Sequence, residues 1–150
     1  MTSKDMKLTS IKDINFERNS RNEVIKTVEN TRRMRNLLDK TGCGFCLAKW
    51  TQVTMHLGTG LTHSCHHPIP HKIDLEELKA RPGALRNTAY KKKQRKAMLN
   101  GERPKECDYC WRIEDGNGEG LSDRHHKSLS DFSFNKHDEI AQLTGDEDDI

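Results

Sequence analysis

Two pairs of cysteines place the strongest constraint on how this chain can fold. Cys46 and Cys65 are separated by eighteen residues, and Cys107 and Cys110 form a CxxC motif further along the chain. Four thiolates from two distant pairs match the ligand count of a tetrahedral zinc site and of a cubane iron–sulfur cluster. The fold is therefore expected to bring the two pairs together, while the spacing alone leaves the metal open.

The composition favours a small domain that a metal helps to stabilise. Of the 150 residues, 32% are hydrophobic and 5% are aromatic, so the core is expected to be thin for this length. Binding of a metal to thiolates that assemble only in the folded state contributes on the order of 10 kcal/mol in zinc-finger peptides. We therefore expect a structural metal to supplement the core.

The stretch between Cys46 and Cys65 has the pattern of a β-hairpin. Alternating apolar and β-branched residues predict a first strand, and Gly58 to Gly60 predict the turn. A short second strand, 61–63, then leads to Cys65. Because a hairpin returns its two ends to the same place, Cys46 and Cys65 are expected to meet. The residues on one face of the first strand are Thr51, Val53, Met55 and Leu57.

Three helices are predicted around this hairpin. Ser20 and Glu23 have the form of a capping box for a helix that Gly42 ends. Asp74 is expected to cap a short helix that ends at Lys79. The third helix, 87–100, carries a basic cluster. The residues after Ile113 show no helix or strand period, and 1–19 have the character of a flexible lead.

The sequence thus predicts an α+β fold, a small metal-stapled domain with a β-hairpin, flanking helices, irregular loops and a flexible acidic tail. We expect an N-terminal lead and amphipathic helix over 1–42. The cysteine-containing domain is expected over 43–127. Residues 128–150 are expected to form an acidic tail or linker, because seven acids stand against Lys136 alone in the last twenty residues.

Cysteine usage and charge indicate the compartment and the partners. An odd count of five cysteines, a polar start and a CxxC motif favour a reducing cytoplasm. No segment has the ~20 apolar residues of a membrane span. Residues 79–105 hold ten Lys or Arg against the single acid Glu102, but no aromatic platform is interleaved with them. Nucleic-acid binding is therefore not favoured.

Two ordered motifs resemble the twitch or SPASM domain of radical SAM proteins. One is Cys46-x13-Gly60-x4-Cys65, which is similar to the hairpin that opens that domain. The other resembles its cluster-binding segment, and the resemblance extends from about Cys43 to Arg124. The second motif comprises Met98-Leu99-Asn100-Gly101-Glu102-Arg103-Pro104, Cys107-x-x-Cys110-Trp111, Glu114, Gly116 or Gly118, Ser122 and Arg124.

The resemblance implies that Cys46, Cys65, Cys107 and Cys110 bind an auxiliary 4Fe-4S cluster. It also implies an accessory or electron-transfer role beside a radical SAM core on another chain. The CxxxCxxC triad of such a core is absent from this sequence, so the chain is not expected to make the radical alone, and whether it is part of an enzyme stays open. His66 stands where related chains often have a second cysteine, and the single-cluster twitch form fits better.

The main alternative is a zinc-binding module. Cys43 forms a second CxxC with Cys46, so these two residues could bind Zn²⁺ together with Cys107 and Cys110 and touch nucleic acid through the basic helix. The histidines that follow Cys65 could also replace a ligand. We favour the interpretation that they are exposed loop residues near the site, because four cysteines already fill the coordination number. These histidines are His66, His67 and His71.

A third interpretation is a metal-dependent nuclease of the HNH or treble-clef kind. The sequence Asp123-Arg124-His125-His126 follows the CxxC, and a histidine beside an acid can act as a general base with a divalent cation. Such enzymes usually close their zinc site with a further CxxC, and no cysteine follows Cys110 here. We rank this function below the other two. Structural roles are expected for Glu114 and Arg124.

Overall fold

The computed structural model describes residues 9–116 and 118–143. In this part of the chain, short helices surround a small antiparallel sheet, as the predicted α+β class requires. The helices are α1 Val28–Thr41, α2 Ala48–Thr51, α3 Leu75–Ala80, α4 Ala89–Leu99, α5 Asp108–Asp115, α6 Asp123–Ser128, α7 Asp131–Phe134 and α8 His137–Ala141. The strands are β1 Thr54–His56, β2 Leu61–His63 and β3 His71–Lys72.

Helix α1 begins later than its sequence pattern predicts. Thr27, and not Ser20, caps it by accepting a hydrogen bond from the Asn30 amide, while Gly42 ends it as expected. The carboxamide of Asn30 donates to the carbonyls of Glu17 and Ile25 at 2.9 and 2.6 Å. This buried side chain holds the preceding segment in an extended form, which a capping signal in the sequence does not reveal.

Both ends of the described chain pack against the core, contrary to expectation. Ile11 and Phe16, in the segment expected to be a flexible lead, are buried. Ile140, in the segment expected to be an acidic tail, is buried in the same cluster. The carboxylate of Asp138 in α8 accepts hydrogen bonds from the Ser10 hydroxyl and the Ile11 amide at 2.5 and 2.8 Å. Residues 9–19 of the expected lead and 128–143 of the expected tail therefore belong to the folded unit, whereas 1–8 and 144–150 lie outside the described residues.

The hairpin is present but shorter than predicted. β1 pairs with β2 around a turn at 57–60, with Met55 opposite Thr62. The first predicted strand residue, Thr51, lies in α2 instead, and the residues of β1 are exposed. The sequence does not predict the third strand, β3, because Pro68 and Pro70 stand just before it. The strand begins directly after the second proline, at His71, which pairs with Thr62.

The helices after the sheet agree with the sequence in part. Asp74 caps α3, and α4 lies within the predicted range with Thr88 as its cap. Two cations of the basic cluster, Lys91 and Arg95, are nevertheless buried. The stretch expected to be irregular after Ile113 also differs, because α5 continues to Asp115 and α6 follows with Ser122 as its cap.

The hydrophobic core has two parts. The larger cluster packs α1 against the N-terminal segment and α8, and the smaller one lies against the CxxC motif. Members of the smaller cluster are Met98, Cys107, Cys110 and Trp111. Within the described residues, no helix combines the length and the apolar character needed to span a membrane.

Gly44 is a point of close backbone approach in front of Cys46. A Cβ atom at this position would lie 2.8 Å from the carbonyl carbon of Glu102. The contact is with backbone, so it cannot be relieved by rotating a side chain. Gly44 therefore allows the loop before Cys46 to lie against the segment that leads to the CxxC motif.

We expect Gly44→Ala to lower the free energy of unfolding by about 2–3 kcal/mol, since overpacking forces the backbone to shift. Gly58→Ala is the matched control, because nothing lies within 4 Å of a Cβ built there. Its effect is expected to stay within about 0.5 kcal/mol. Urea unfolding of both variants measures the difference, and equal stabilities would contradict the close approach.

Candidate metal centre

The structure brings Cys46, Cys65, Cys107 and Cys110 to the wall of one cavity. All four are free thiols. Cys107 and Cys110 are buried, and the other two are half-buried. The residues that complete the wall are Ala48, Lys49, His67, Met98, Trp111, Asp123, Arg124 and Lys127. The two sequence pairs therefore share a single space, as their spacing predicts.

Different local structures position the four thiols. Cys46 lies just before α2, and Cys65 follows β2. Cys107 ends the 3-10 turn Lys105–Cys107, and Cys110 lies in the first turn of α5. Residues three apart on a helix share a face, so the CxxC motif presents both of its thiols to the cavity. Because α2 separates Cys46 from β1, the hairpin alone does not place Cys46 beside Cys65.

The thiols are close enough to affect one another electrostatically. Burial raises the pKa of Cys46 to about 11, and the charge of Cys65 adds to this effect. Burial raises the pKa of Cys107 to about 12 against the opposing charge of Lys49. Burial also raises the pKa of Cys110, although hydrogen bonds from Arg124 and Ser122 lower it. A metal cation would replace these protons and stabilise the thiolates.

The sulfur atoms are more widely spaced than a zinc site requires. Within the described residues, only His66, His67 and Asp123 bring three candidate ligand atoms within 4.8 Å of one another. No three of the four sulfurs are therefore that close. Tetrahedral zinc with Zn–S bonds of ~2.3 Å separates its sulfurs by about 3.8 Å. The four thiols therefore include no set of three at the spacing of a closed zinc site.

Lys49 connects three of the segments that carry the cysteines. Its ammonium is buried, forms an ion pair with Glu106 and lies 3.3 Å from the Ser64 hydroxyl. Burial lowers the pKa of Lys49, but Cys107 and Glu106 raise it more strongly, so the net direction is upward. The lysine therefore keeps its positive charge beside Cys107. Thiolates around a metal have a net negative charge, which this ammonium can offset.

Arg124 provides a second buried cation at the cavity wall. Its guanidinium donates to both carboxylate oxygens of Glu114, at 2.7 and 3.0 Å, and to Asp39 at 2.8 Å. A further bond of 2.9 Å reaches the Phe45 carbonyl, next to Cys46. These bonds join α1, the loop before α2, α5 and α6. Arg124 thus fixes the Cys46 loop relative to the helix that contains Cys110.

The alternative ligands of the sequence lie in different places. Cys43 is exposed and does not line the cavity, whereas Cys65 does. His66 is exposed, but His67 is half-buried and lines the cavity. His71 pairs in β3, where its Nε2 lies 2.8 Å from the Thr88 hydroxyl. Of the three loop histidines, His67 alone is at the cavity wall.

The residues of the nuclease hypothesis have structural surroundings. His125 is fully buried, and its Nδ1 accepts a hydrogen bond of 3.0 Å from the Ser122 amide. Burial lowers its pKa to about 3, so it is neutral around pH 7. Arg124 is held by the ion pairs described above. These positions favour structural roles for Arg124 and His125. A structural role was the expectation for Arg124 and for its partner Glu114.

Sequence reasoning assigned no role in a metal centre to three polar residues of the cavity wall, Lys49, Asp123 and Lys127. Lys49 resembles any surface lysine in the sequence, and its only signal is its position three residues after Cys46. In the sequence, Asp123 stands out only as part of the nuclease motif. In the structure its Oδ2 lies 2.5 Å from His67 Nε2, which connects α6 to the loop after Cys65.

Comparison with protein-family models, with curated proteins and with solved structures gave no match to this chain. The resemblance to the twitch or SPASM domain therefore depends on the motifs and the cysteine arrangement alone.

Proposed function

We propose that this protein is an iron–sulfur protein in which Cys46, Cys65, Cys107 and Cys110 hold one 4Fe-4S cluster. The convergence of four buried or half-buried thiols on one cavity is the observation that carries the proposal. Four cysteine thiolates are the usual ligand set of such a cluster. A cluster would also contribute to the stability of a domain with a thin core.

One feature of the surroundings favours a cluster over a single zinc ion. No three of the four sulfurs lie within 4.8 Å of one another, whereas a tetrahedral zinc site separates its sulfurs by about 3.8 Å. The cavity also has apolar cover from Met98 and Trp111, which would shield either centre from water. Zn²⁺ bound by the same cysteines is the alternative that the experiment must distinguish.

A bound cluster would supply one-electron transfer or structural support. The protein's own residues would hold and shield it. The four cysteines fill its coordination positions, so that no iron is left open to a substrate. Lys49 and Arg124 place positive charge near the thiolates, and Trp111 excludes water on one side. Its indole is fixed by a hydrogen bond of 2.7 Å to the Pro104 carbonyl.

The partner in this proposal is a radical SAM core that carries the CxxxCxxC triad, for which this domain would be the accessory or electron-transfer unit. The support is the ordered pair of motifs in the sequence. A reducing cytoplasm would keep the five free thiols available for metal.

Purification without air, followed by metal analysis, tests the proposal. We expect about four iron and four acid-labile sulfide per chain and the brown colour of an iron–sulfur protein. Stoichiometric zinc in a colourless protein, with no uptake of iron and sulfide on reconstitution, would replace the cluster by the zinc alternative. Iron that binds without sulfide would also contradict the proposal.

A further inference from the structure

Three side chains outside the cysteine set bring ligand atoms together at the rim of the cavity. His66, His67 and Asp123 each offer one atom, and these atoms lie within 4.8 Å of one another. The two histidines follow Cys65, whereas Asp123 begins α6. Imidazole nitrogen and carboxylate oxygen are ligands of Zn²⁺ and of similar first-row divalent cations.

Contacts within the fold already orient one imidazole toward the carboxylate. His67 Nε2 lies 2.5 Å from Asp123 Oδ2. The His67 ring stacks on Tyr109, with ring centroids 3.8 Å apart and an interplanar angle of 15°. The ring of His66 lies beside it, with centroids 4.0 Å apart. Two separate elements, α5 and α6, therefore hold His67 in place.

We propose that His66, His67 and Asp123 form a second metal site for Zn²⁺ or a similar divalent transition cation. The site uses none of the four cysteines and goes beyond the proposed function. Three protein ligands leave a coordination position open, as in catalytic zinc sites. Because His67 and Asp123 also line the cysteine cavity, that cation would lie at its rim. There it could bind an anionic oxygen of a ligand.

Lys127 lies next to this site and is expected to weaken its affinity for a metal cation. Its Nζ lies 2.7 Å from His66 Nδ1, so it occupies one nitrogen of this ligand. A positive charge beside a bound cation also repels it. Removing the ammonium should therefore strengthen metal binding, which the loss of a merely structural contact would not do.

Zinc binding by the full chain, purified without air, tests the site. The measurements are equilibrium dialysis against Zn²⁺ and X-ray absorption at the zinc edge, which separates nitrogen and oxygen ligands from sulfur. We expect one zinc per chain with nitrogen and oxygen ligands. His66→Ala and Asp123→Asn should each weaken it at least about tenfold, since loss of even a supporting residue has this effect.

Two variants complete the design. His126→Ala removes an exposed imidazole from the same helix as Asp123 and should leave the affinity unchanged. Lys127→Ala should increase it. The proposal fails if no zinc with nitrogen and oxygen ligands binds, if only one of the two ligand variants weakens binding, if His126→Ala weakens it equally, or if Lys127→Ala does not increase it. If the cysteines hold zinc instead of a cluster, a second zinc with sulfur ligands is expected, and the zinc bound by nitrogen and oxygen still reports this site, so its failure is distinguishable from failure of the cluster.

Discussion

Cys110→Ser is expected to abolish the bound iron and to lower stability more than any other single substitution considered for this protein. The sulfur is buried at the cavity, and a serine hydroxyl is a poor replacement for a thiolate ligand. Metal binding to such a site contributes on the order of 10 kcal/mol to folding in zinc-finger peptides. Loss of a large part of that contribution exceeds the total stability of many small domains.

Iron and sulfide content and the unfolding temperature, both measured without air, check this expectation. Cys43→Ser is the matched control, because Cys43 is exposed and lies outside the cavity wall. It should retain full iron content and the unfolding temperature of the unsubstituted chain. Equal loss of iron in the two variants would instead favour the ligand set in which Cys43 takes the place of Cys65.

The same comparison separates a metal effect from a packing effect. Serine is close in size to cysteine, so Cys110→Ser leaves little new space in the smaller hydrophobic cluster. If the iron-free Cys110→Ser protein and the iron-free unsubstituted protein had the same unfolding temperature, the loss of stability in Cys110→Ser would come from the metal. A difference that persists in the iron-free protein would instead measure the packing of the sulfur.

Local signals in the sequence predicted the parts of the fold that depend on nearby residues. Asp74 caps α3, Gly42 ends α1 and the turn of the hairpin lies at 57–60. The convergence of the four cysteines on one cavity also agrees with their spacing. These features follow from backbone geometry and from the fixed reach of short loops, which the sequence encodes directly.

The features that sequence reasoning missed depend on distant contacts. Asn30 determines where α1 begins through bonds to the carbonyls of Glu17 and Ile25. Composition cannot distinguish the buried Lys49 and Lys91 from the other lysines. Ile140 and Ala141 lie in an acidic stretch, and the charge of that stretch concealed a helix with two apolar residues in the core. In each case tertiary packing outweighed a local preference.

Arg124→Met is expected to lower the free energy of unfolding by about 3–5 kcal/mol, the cost of removing one partner of a buried ion pair. The side chains of Arg124 and Glu114 are 2% and 7% exposed, so the substitution leaves a carboxylate without its main partner in a dry site. Arg112→Met is the control, because its pair with Asp108 is exposed and should contribute under about 1 kcal/mol.

The double variant Arg124→Met with Glu114→Met separates the charge effect from lost packing. If the unpaired carboxylate is the main cost, the double variant should be more stable than Arg124→Met alone, because two apolar side chains leave no buried charge behind. Urea unfolding of the four proteins in this cycle gives the coupling energy. Additive losses would show that the two residues act independently. The guanidinium would then stabilise the Cys46 loop through its bond to the Phe45 carbonyl and not through the carboxylate.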